Sequence, residues 1–482
     1  MSAFFTNVFK LVSGSVIAQI IGILLIPVIT RLYSPGAFGI FQLFLSISSI
    51  LAIFACLSYQ LAIMLPKDDD DSANIVVLCV ILIAIFSIIS GIIFIIFSAS
   101  IGNLLNAPGL SQYLVFLPLV VFLTALFSVL TYWIARRKQF GLILTAQVAN
   151  SVSSKTVQIG IGLYFTSSFG LIAGLIVGYI ASLIAFFRQI KEDIFLFKAV
   201  TWKRIKDLAI RYKRFPIFTS WSTTANTLST QITPIILVFF FDPTIVGYYA
   251  LANMVVFLPV GLIGTATSQV FFQKASEEKN RTGSIRNIVR EIQQRLVSIG
   301  MFPMFILIII GTDLFSFVLG SQWYAAGEYA GILAPWVLFV FIASPLSTIF
   351  SVLERQPVDL TFNLLILISR VVVLVIGGLC GFPIIALILF SATGVIFWGW
   401  MNLYLLRVSG IPYRTGLNDY LRFFCLGLVV AIPLLIVKLL AMPAYILFIV
   451  AGAVSFGYYA IVILQDPLLK NEILGVLGGF KQ

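Results

Sequence analysis

Two basic residues lie in the middle of apolar segments, where an ionised side chain is costly and usually faces a cavity or a partner. Lys155 lies in SVSSKTVQIG and Arg370 lies in LILISRVVVL, each directly after a serine. Two cations that face each other across the interface of two related halves would suit an anionic ligand, particularly a phosphate or a pyrophosphate. The alternative is that each base snorkels to the membrane surface or binds backbone carbonyls.

Other polar residues within apolar segments are candidates for lining the same cavity. They are Gln19, Gln147, Asn150, Asn226, Asn363 and, at the end of the first segment, Arg31. For the uncharged residues, hydrogen bonding between helices explains their presence at least as well. For Arg31, as for Lys438, snorkelling is the competing interpretation.

The residue inventory excludes several kinds of chemistry. The chain has no histidine, which excludes histidine proton shuttles and serine–histidine catalysis. Its four cysteines lack the close pairing of zinc ligands and are interpreted as small core residues. The acidic run Asp68 to Asp71 lies in a short loop and is interpreted as a solvated turn. We therefore predict no catalytic residue, no metal and no cofactor.

The composition indicates the setting of these residues. Of 482 residues, 60% are hydrophobic and 10% are charged, whereas soluble domains have about 25% charged residues. The chain is therefore predicted to be an all-α, polytopic membrane protein. The net charge of +12 comes from short loops between apolar segments, so it does not indicate nucleic acid binding.

Apolar runs long enough to cross a bilayer predict fourteen helical spans. They are roughly 11–32, 38–65, 75–99, 113–134, 142–165, 170–187, 217–241, 250–272, 296–319, 331–353, 360–380, 384–405, 423–441 and 445–464. If the N-terminus is cytoplasmic, the cytoplasmic segments contain 26 of the 30 Lys and Arg residues. Because basic loops stay in the cytoplasm, we predict that both termini are cytoplasmic.

A weak internal repeat relates the two halves of the chain. SPGAFGIFQL at 34–43 and DPTIVGYYAL at 242–251 share four positions. These pairs are Pro35/Pro243, Gly39/Gly247, Phe41/Tyr249 and Leu43/Leu251. Six spans per repeat predict two parallel lobes. The predicted parts are a lobe at 1–187, a basic linker at 188–216, a second lobe at 217–405, and two further helices with a tail at 406–482.

Four stretches resemble the polysaccharide (O-antigen, Wzx-type) flippase family of the multidrug/oligosaccharidyl-lipid/polysaccharide exporter superfamily. They are PVITRLYSPGAFGIF at 27–41, LPKDDDDSAN at 65–74, WIARRKQFG at 133–141 and YKRFP at 212–216. The resemblance covers the whole chain, including the number of spans and the arrangement of six, six and two. Lipid II flippases of the same superfamily have basic residues within the first span. Here Gln19 lies in that region, which counts against lipid II as the cargo.

The resemblance implies a flippase that moves an undecaprenyl-pyrophosphate-linked oligosaccharide across the bacterial inner membrane by alternating access, for O-antigen and lipopolysaccharide biosynthesis. Its implied partners are that carrier lipid, membrane lipids, and the polymerase and chain-length proteins of the pathway. It also implies a lipid-facing groove at spans thirteen and fourteen for the polyprenyl tail. The alternatives are an ion-coupled drug exporter of the same superfamily and a membrane-embedded polymerase or ligase.

Overall fold

The computed structural model describes residues 19–353 and 355–465. Over this part of the chain nearly every residue is helical and no strand occurs, which confirms the predicted all-α class. Turns and helices of fewer than eight residues are left out of the numbering. The first eight helices are α1 (Gln19–Leu32), α2 (Pro35–Cys56), α3 (Asp69–Leu104), α4 (Leu117–Arg136), α5 (Phe140–Gly162), α6 (Ser168–Glu192), α7 (Trp202–Arg211) and α8 (Ser220–Phe240).

The remaining eight helices include the second-longest helix of the described chain. They are α9 (Pro243–Val256), α10 (Thr265–Thr282), α11 (Arg286–Leu319), α12 (Tyr324–Leu346), α13 (Gln356–Leu379), α14 (Pro383–Val408), α15 (Tyr413–Leu439) and α16 (Ala444–Gln465). Ten helices of the described chain are long and apolar enough to cross a membrane, namely α2, α3, α4, α6 and α11 to α16. The protein is therefore a multi-pass membrane protein.

The other four predicted spans fall on helices that are either short or polar. The described part of α1 and all of α9 are apolar but short, whereas α5 and α8 are long enough but rich in Ser, Thr, Asn and Gln. A polar helix at membrane depth must face protein or a water-filled space rather than lipid. Most of the candidate site residues lie on these less apolar helices.

The eighth predicted span, 250–272, is not one continuous helix. Helix α9 ends at Val256, a π-helical turn covers Val260–Gly264, and α10 then continues to Thr282. Pro259 lies at the break, where a proline removes a backbone donor and disturbs the preceding turn. The charged segment that follows, 274–295, is almost entirely helical because α10 and α11 extend into it.

The chain divides into two compact units. The first contains Met1–Ala250 and Gly378–Pro383, and the second contains Leu251–Gly377 and Ile384–Gln482. The whole of α8 and the first half of α9 thus belong to the first unit. The six-plus-six lobes derived from the repeat stay a prediction.

In the first unit, an ion-pair cluster joins the loops at the ends of α3, α4 and α6. Arg137 contacts Asp69 at 2.6 Å and Asp193 at 3.1 Å, and Arg136 contacts Asp69 at 2.9 Å. Asp193 is buried and also accepts hydrogen bonds from Trp133 Nε1 and Gln189 Nε2. The interpretation of the acidic run as merely solvated is therefore wrong for Asp69, because the two arginines meet there.

Asp193→Asn is expected to destabilise the protein. The change removes the carboxylate charge from the contact with Arg137, which keeps its contact with Asp69, and the loss of a hydrogen bond to a charged group costs about 1.5–3 kcal/mol. We expect a lower midpoint of thermal unfolding in detergent. The matched control is Asp207→Asn, because Asp207 is exposed on α7 of the same unit. Equal midpoints for the two variants would contradict a stabilising role for the cluster.

In the second unit, aromatic packing and one ion pair connect α11 to the two C-terminal helices. The ring of Phe302 stacks on Tyr458 with centroids 4.6 Å apart, and the Tyr458 hydroxyl donates to Ser298 O at 2.9 Å. Lys438 on α15 forms an ion pair with Asp313 on α11. This pairing explains two charges near the ends of apolar helices without assigning them to a ligand.

The cysteines divide into two kinds. Cys56 and Cys79 are buried, as predicted for small core residues, whereas Cys380 and Cys425 are exposed. No group of three or more potential metal ligands occurs within 19–353 and 355–465.

Candidate functional site

The two turns that carry the sequence repeat pack against each other within the first unit. A Cβ atom added to Gly39 would lie 1.6 Å from Pro243 O, and one added to Gly247 would lie 1.9 Å from Pro35 O. The contact is reciprocal, since the proline carbonyl of each turn packs against the glycine of the other turn. Only glycine allows two helices to approach this closely.

Each turn also begins its helix in the same way. Ser34 caps α2 by accepting a hydrogen bond from Ala37 N at 3.2 Å, and Asp242 Oδ1 accepts from Thr244 N at 2.6 Å at the start of α9. Side-chain oxygens at these positions satisfy backbone donors that have no partner within the helix. We call this pair of capped, crossing first turns the glycine crossing.

Lys155 lies on α5 with a neutral partner. Its Nζ donates to Gln158 Oε1 at 3.1 Å. Gln158 is itself buried and fixed, because its Nε2 donates to Leu171 O and its backbone carbonyl accepts from Tyr33 Oη at 2.6 Å. Within the described chain, no carboxylate lies within ion-pair distance of Lys155. An amide does not neutralise an ammonium, so this position would favour an anion.

Three glycines of α6 let it lie close to α5 and Tyr33 and thereby position the Lys155 partners. A Cβ atom would lie 2.1 Å from Tyr33 Oη at Gly170, and 2.4 Å from Gln158 Cγ at Gly174. At Gly178 it would lie 2.9 Å from Ser154 Cβ. The four-residue spacing of these glycines is typical of a close-packing helix face, and all three lie at the contact of α6 with α5 and Tyr33.

Arg370 lies on α13 in the second unit. Its guanidinium carbon is 5.3 Å from the ring centroid of Trp336 and 5.4 Å from that of Phe390. The two rings pack edge to face, with centroids 4.9 Å apart. Cation–π contacts of this kind contribute about 0.5–2 kcal/mol each. The Arg370 side chain therefore packs against aromatic rings of α12 and α14.

The remaining predicted site residues differ in their exposure. Gln147 and Asn150 are half-buried on α5, with the Asn150 side chain directed at Gly178 of α6. Gln19, Arg31 and Asn226 are exposed. Asn363 is exposed as well, and its Nδ2 donates to the backbone and carboxylate oxygens of Asp359 at 2.9 and 3.3 Å. Whether any of these side chains lines a transport cavity stays a prediction.

Two polar residues that the sequence reasoning did not select are placed by the structure. Gln158 is the direct partner of Lys155, and its spacing of three residues on one helix could have indicated it. Gln231 on α8 accepts a hydrogen bond from Ser46 Oγ on α2 at 2.9 Å. That contact joins residues 185 positions apart, and nothing local in the sequence indicates it.

These observations describe polar residues on α5 and α8 in the first unit and a cation that contacts two aromatic rings in the second. A sequence profile described as "Polysaccharide biosynthesis protein" matches residues 28–328, which is more than half of the chain. The chain belongs to the polysaccharide biosynthesis protein family. This membership confirms the resemblance to the polysaccharide flippases that we drew from the sequence. No curated protein matches the chain.

Solved structures support the same fold for this member of the family. The inward closed conformation of the lipid II flippase MurJ aligns with a TM-score of 0.73 at 17% identity, covering 94% of this chain and 99% of that one. A multidrug resistance MATE family transporter of the MOP superfamily, in its inward-facing conformation, aligns with a TM-score of 0.61 at 16% identity, covering 81% and 96%. At these identities the similarity shows the fold alone.

Proposed function

We propose that this protein is a flippase, not an enzyme, that moves an undecaprenyl-pyrophosphate-linked oligosaccharide repeat unit from the cytoplasmic to the outer face of the bacterial inner membrane. Both termini would be cytoplasmic. The observation that carries the proposal is Lys155, an ammonium on a membrane-depth helix whose described partner is a neutral amide. An anionic head group would supply the missing counter-charge.

In the proposed mechanism, Lys155 and Arg370 bind the pyrophosphate in the transport cavity. Arg370 offers a planar, oriented guanidinium suited to two phosphate oxygens, while Lys155 acts as a point charge. Polar side chains on α5 and α8, with the other candidate residues, would meet the sugars. Alternating access would expose this cavity first to one face of the membrane and then to the other.

The family membership and the fold support transport of a polysaccharide precursor, and the contacts in the apolar segments argue against ion-coupled drug export. Asp313, near the end of α11, forms an ion pair with Lys438. An acid neutralised by a lysine is poorly suited to carry a coupling proton or sodium ion. Drug export nevertheless remains an outcome that the following experiment distinguishes.

The test reconstitutes the purified protein in vesicles with an undecaprenyl-pyrophosphate oligosaccharide bearing a fluorescent sugar. Loss of fluorescence on adding a membrane-impermeant quencher reports how much lipid faces outward. We expect equilibration of the lipid between leaflets within the assay time and none in protein-free vesicles. In a deletion strain, the unpolymerised lipid-linked unit should accumulate on the inner face. Accumulation on the outer face would indicate a polymerase or ligase, and drug sensitivity with normal surface glycan would indicate a drug exporter.

A further inference from the structure

The second unit contains an apolar groove that none of the candidate site residues lines. Helices α11, α12, α14 and α15 line it, and its volume is about 760 Å³, within the range of about 300–1,000 Å³ typical of ligand sites. The lining residue Tyr420 stacks on Phe339 and donates its hydroxyl to Asn402 Oδ1 at 3.1 Å. The groove thus presents hydrocarbon and almost no hydrogen-bonding group, so it fits an alkyl chain and not a sugar.

On each of two helices that line the groove, an arginine lies one turn away from the lining residues, on the same face of the helix. On α15, Leu417, Leu421 and Phe424 line the groove at helical spacing, and Arg414 lies one turn before Leu417 on the same face. Arg414 is exposed. The lining stripe therefore changes from apolar to cationic at the start of the helix.

Helix α14 repeats this pattern in the opposite direction. Trp400 and Leu403 line the groove, and Arg407 lies one turn beyond Leu403. Arg407 is exposed, donates to Tyr413 Oη at 3.0 Å and packs over that ring at 5.5 Å. Because only residues 409–412 separate α14 from α15, the two arginines lie at the same end of the groove.

We infer that this groove binds an anionic phospholipid, with an acyl chain along the apolar lining and the phosphate at Arg407 and Arg414. Leu417, Leu421 and Trp400 are each about half exposed, so the groove opens toward the bilayer, where phospholipids are the abundant amphiphiles. The anionic head group matches two exposed cations at the membrane surface. In the proposed orientation this is the cytoplasmic leaflet. Such a lipid would join α14 to α15 as a structural ligand, and the inference does not depend on the identity of the cargo.

The experiment compares phosphatidylglycerol with phosphatidylcholine added to the purified full-length protein in detergent. Native mass spectrometry counts bound lipids, and thermal unfolding measures stabilisation. We expect phosphatidylglycerol to bind with at least about tenfold higher affinity than phosphatidylcholine, because two basic residues near a membrane surface favour an anionic lipid. We also expect it to raise the unfolding midpoint further.

The variant Arg407→Gln/Arg414→Gln should lose this preference and bind both lipids equally. Its matched control is Lys203→Gln/Arg281→Gln, which removes two exposed charges elsewhere and should keep the preference. Gly399→Leu, which fills the groove from α14, should reduce binding of both lipids. If that variant fails to fold, the arginine variant still decides the matter.

Three results would overturn the inference. The first is equal affinity of the wild-type protein for the two phospholipids. The second is an unchanged preference in the double arginine variant. The third is displacement of phosphatidylglycerol by equimolar undecaprenyl pyrophosphate that depends on Arg407 and Arg414, because the groove would then hold the carrier lipid. Failure of the flippase assay above would leave all three measurements interpretable.

Discussion

Replacement of Lys155 by methionine is expected to slow export of the lipid-linked oligosaccharide by at least about tenfold while the protein remains folded in the membrane. Methionine keeps an unbranched, apolar side chain on α5 and removes the charge. The folded state should tolerate the change, because the lost contact is one hydrogen bond to Gln158. The free-energy cost of desolvating an ammonium group on folding also disappears. A charge-assisted contact to phosphate contributes about 1.5–3 kcal/mol, so we expect a loss of roughly 10-fold to 150-fold in the flipping rate.

The measurement is the flipping rate in vesicles per folded protein, together with surface glycan in cells that lack the native copy. Lys67→Met is the matched control, since Lys67 is exposed in the loop before α3, and it should flip at the wild-type rate. Arg370→Met should behave like Lys155→Met, with Trp336 and Phe390 left in place. Normal surface glycan in the double variant, at normal protein levels, would eliminate both residues as the pyrophosphate site.

The fold could be predicted from sequence because hydrocarbon thickness imposes a minimum length on apolar helices. Runs such as those in α3 and α14 exceed this length and contain almost no charge, so their type and approximate position followed directly. The break between α9 and α10 could not be found in this way, because the residues around Pro259 are apolar on both sides. Hydropathy measures how apolar a segment is, and it does not detect a local change of backbone geometry.

The candidate site was predictable only in part, for a related reason. Lys155 and Arg370 stand out because a charge within an apolar run is rare. Their surroundings depend on tertiary contacts, namely the Gln158 carbonyl bound by Tyr33, 125 positions away, and the rings of Trp336 and Phe390. The repeat identified Gly39 and Gly247 as equivalent positions. Equivalence in sequence did not indicate that the two turns would touch.

Gly39→Ala is expected to have the second large effect, because the glycine crossing has no room for a side chain. The added Cβ would lie 1.6 Å from Pro243 O, whereas carbon and oxygen atoms in contact are normally about 3.3 Å apart. The first turns of α2 and α9 would have to separate by more than 1 Å, roughly the difference between those distances. We expect overpacking of this kind to cost about 1–3 kcal/mol of stability. If the crossing must close in every transport cycle, the same free-energy cost applies to the closing step. The flipping rate per folded protein should then also fall by about tenfold or more, since 1.4 kcal/mol corresponds to a factor of ten.

Gly36→Ala provides the control, because Gly36 lies three residues earlier on α2 and its added Cβ would meet Thr244 Oγ1 at an ordinary 3.6 Å. That variant should fold and flip like the wild type. Gly247→Ala should reproduce the Gly39→Ala defect, since its Cβ would lie 1.9 Å from Pro35 O. Because the contact is reciprocal, separating the turns from either side has the same consequence, and the double variant should add little to the single ones. Additive losses in the double variant would mean that the two glycines act at separate places. A wild-type flipping rate in Gly39→Ala would mean that the crossing stabilises the first unit without taking part in transport.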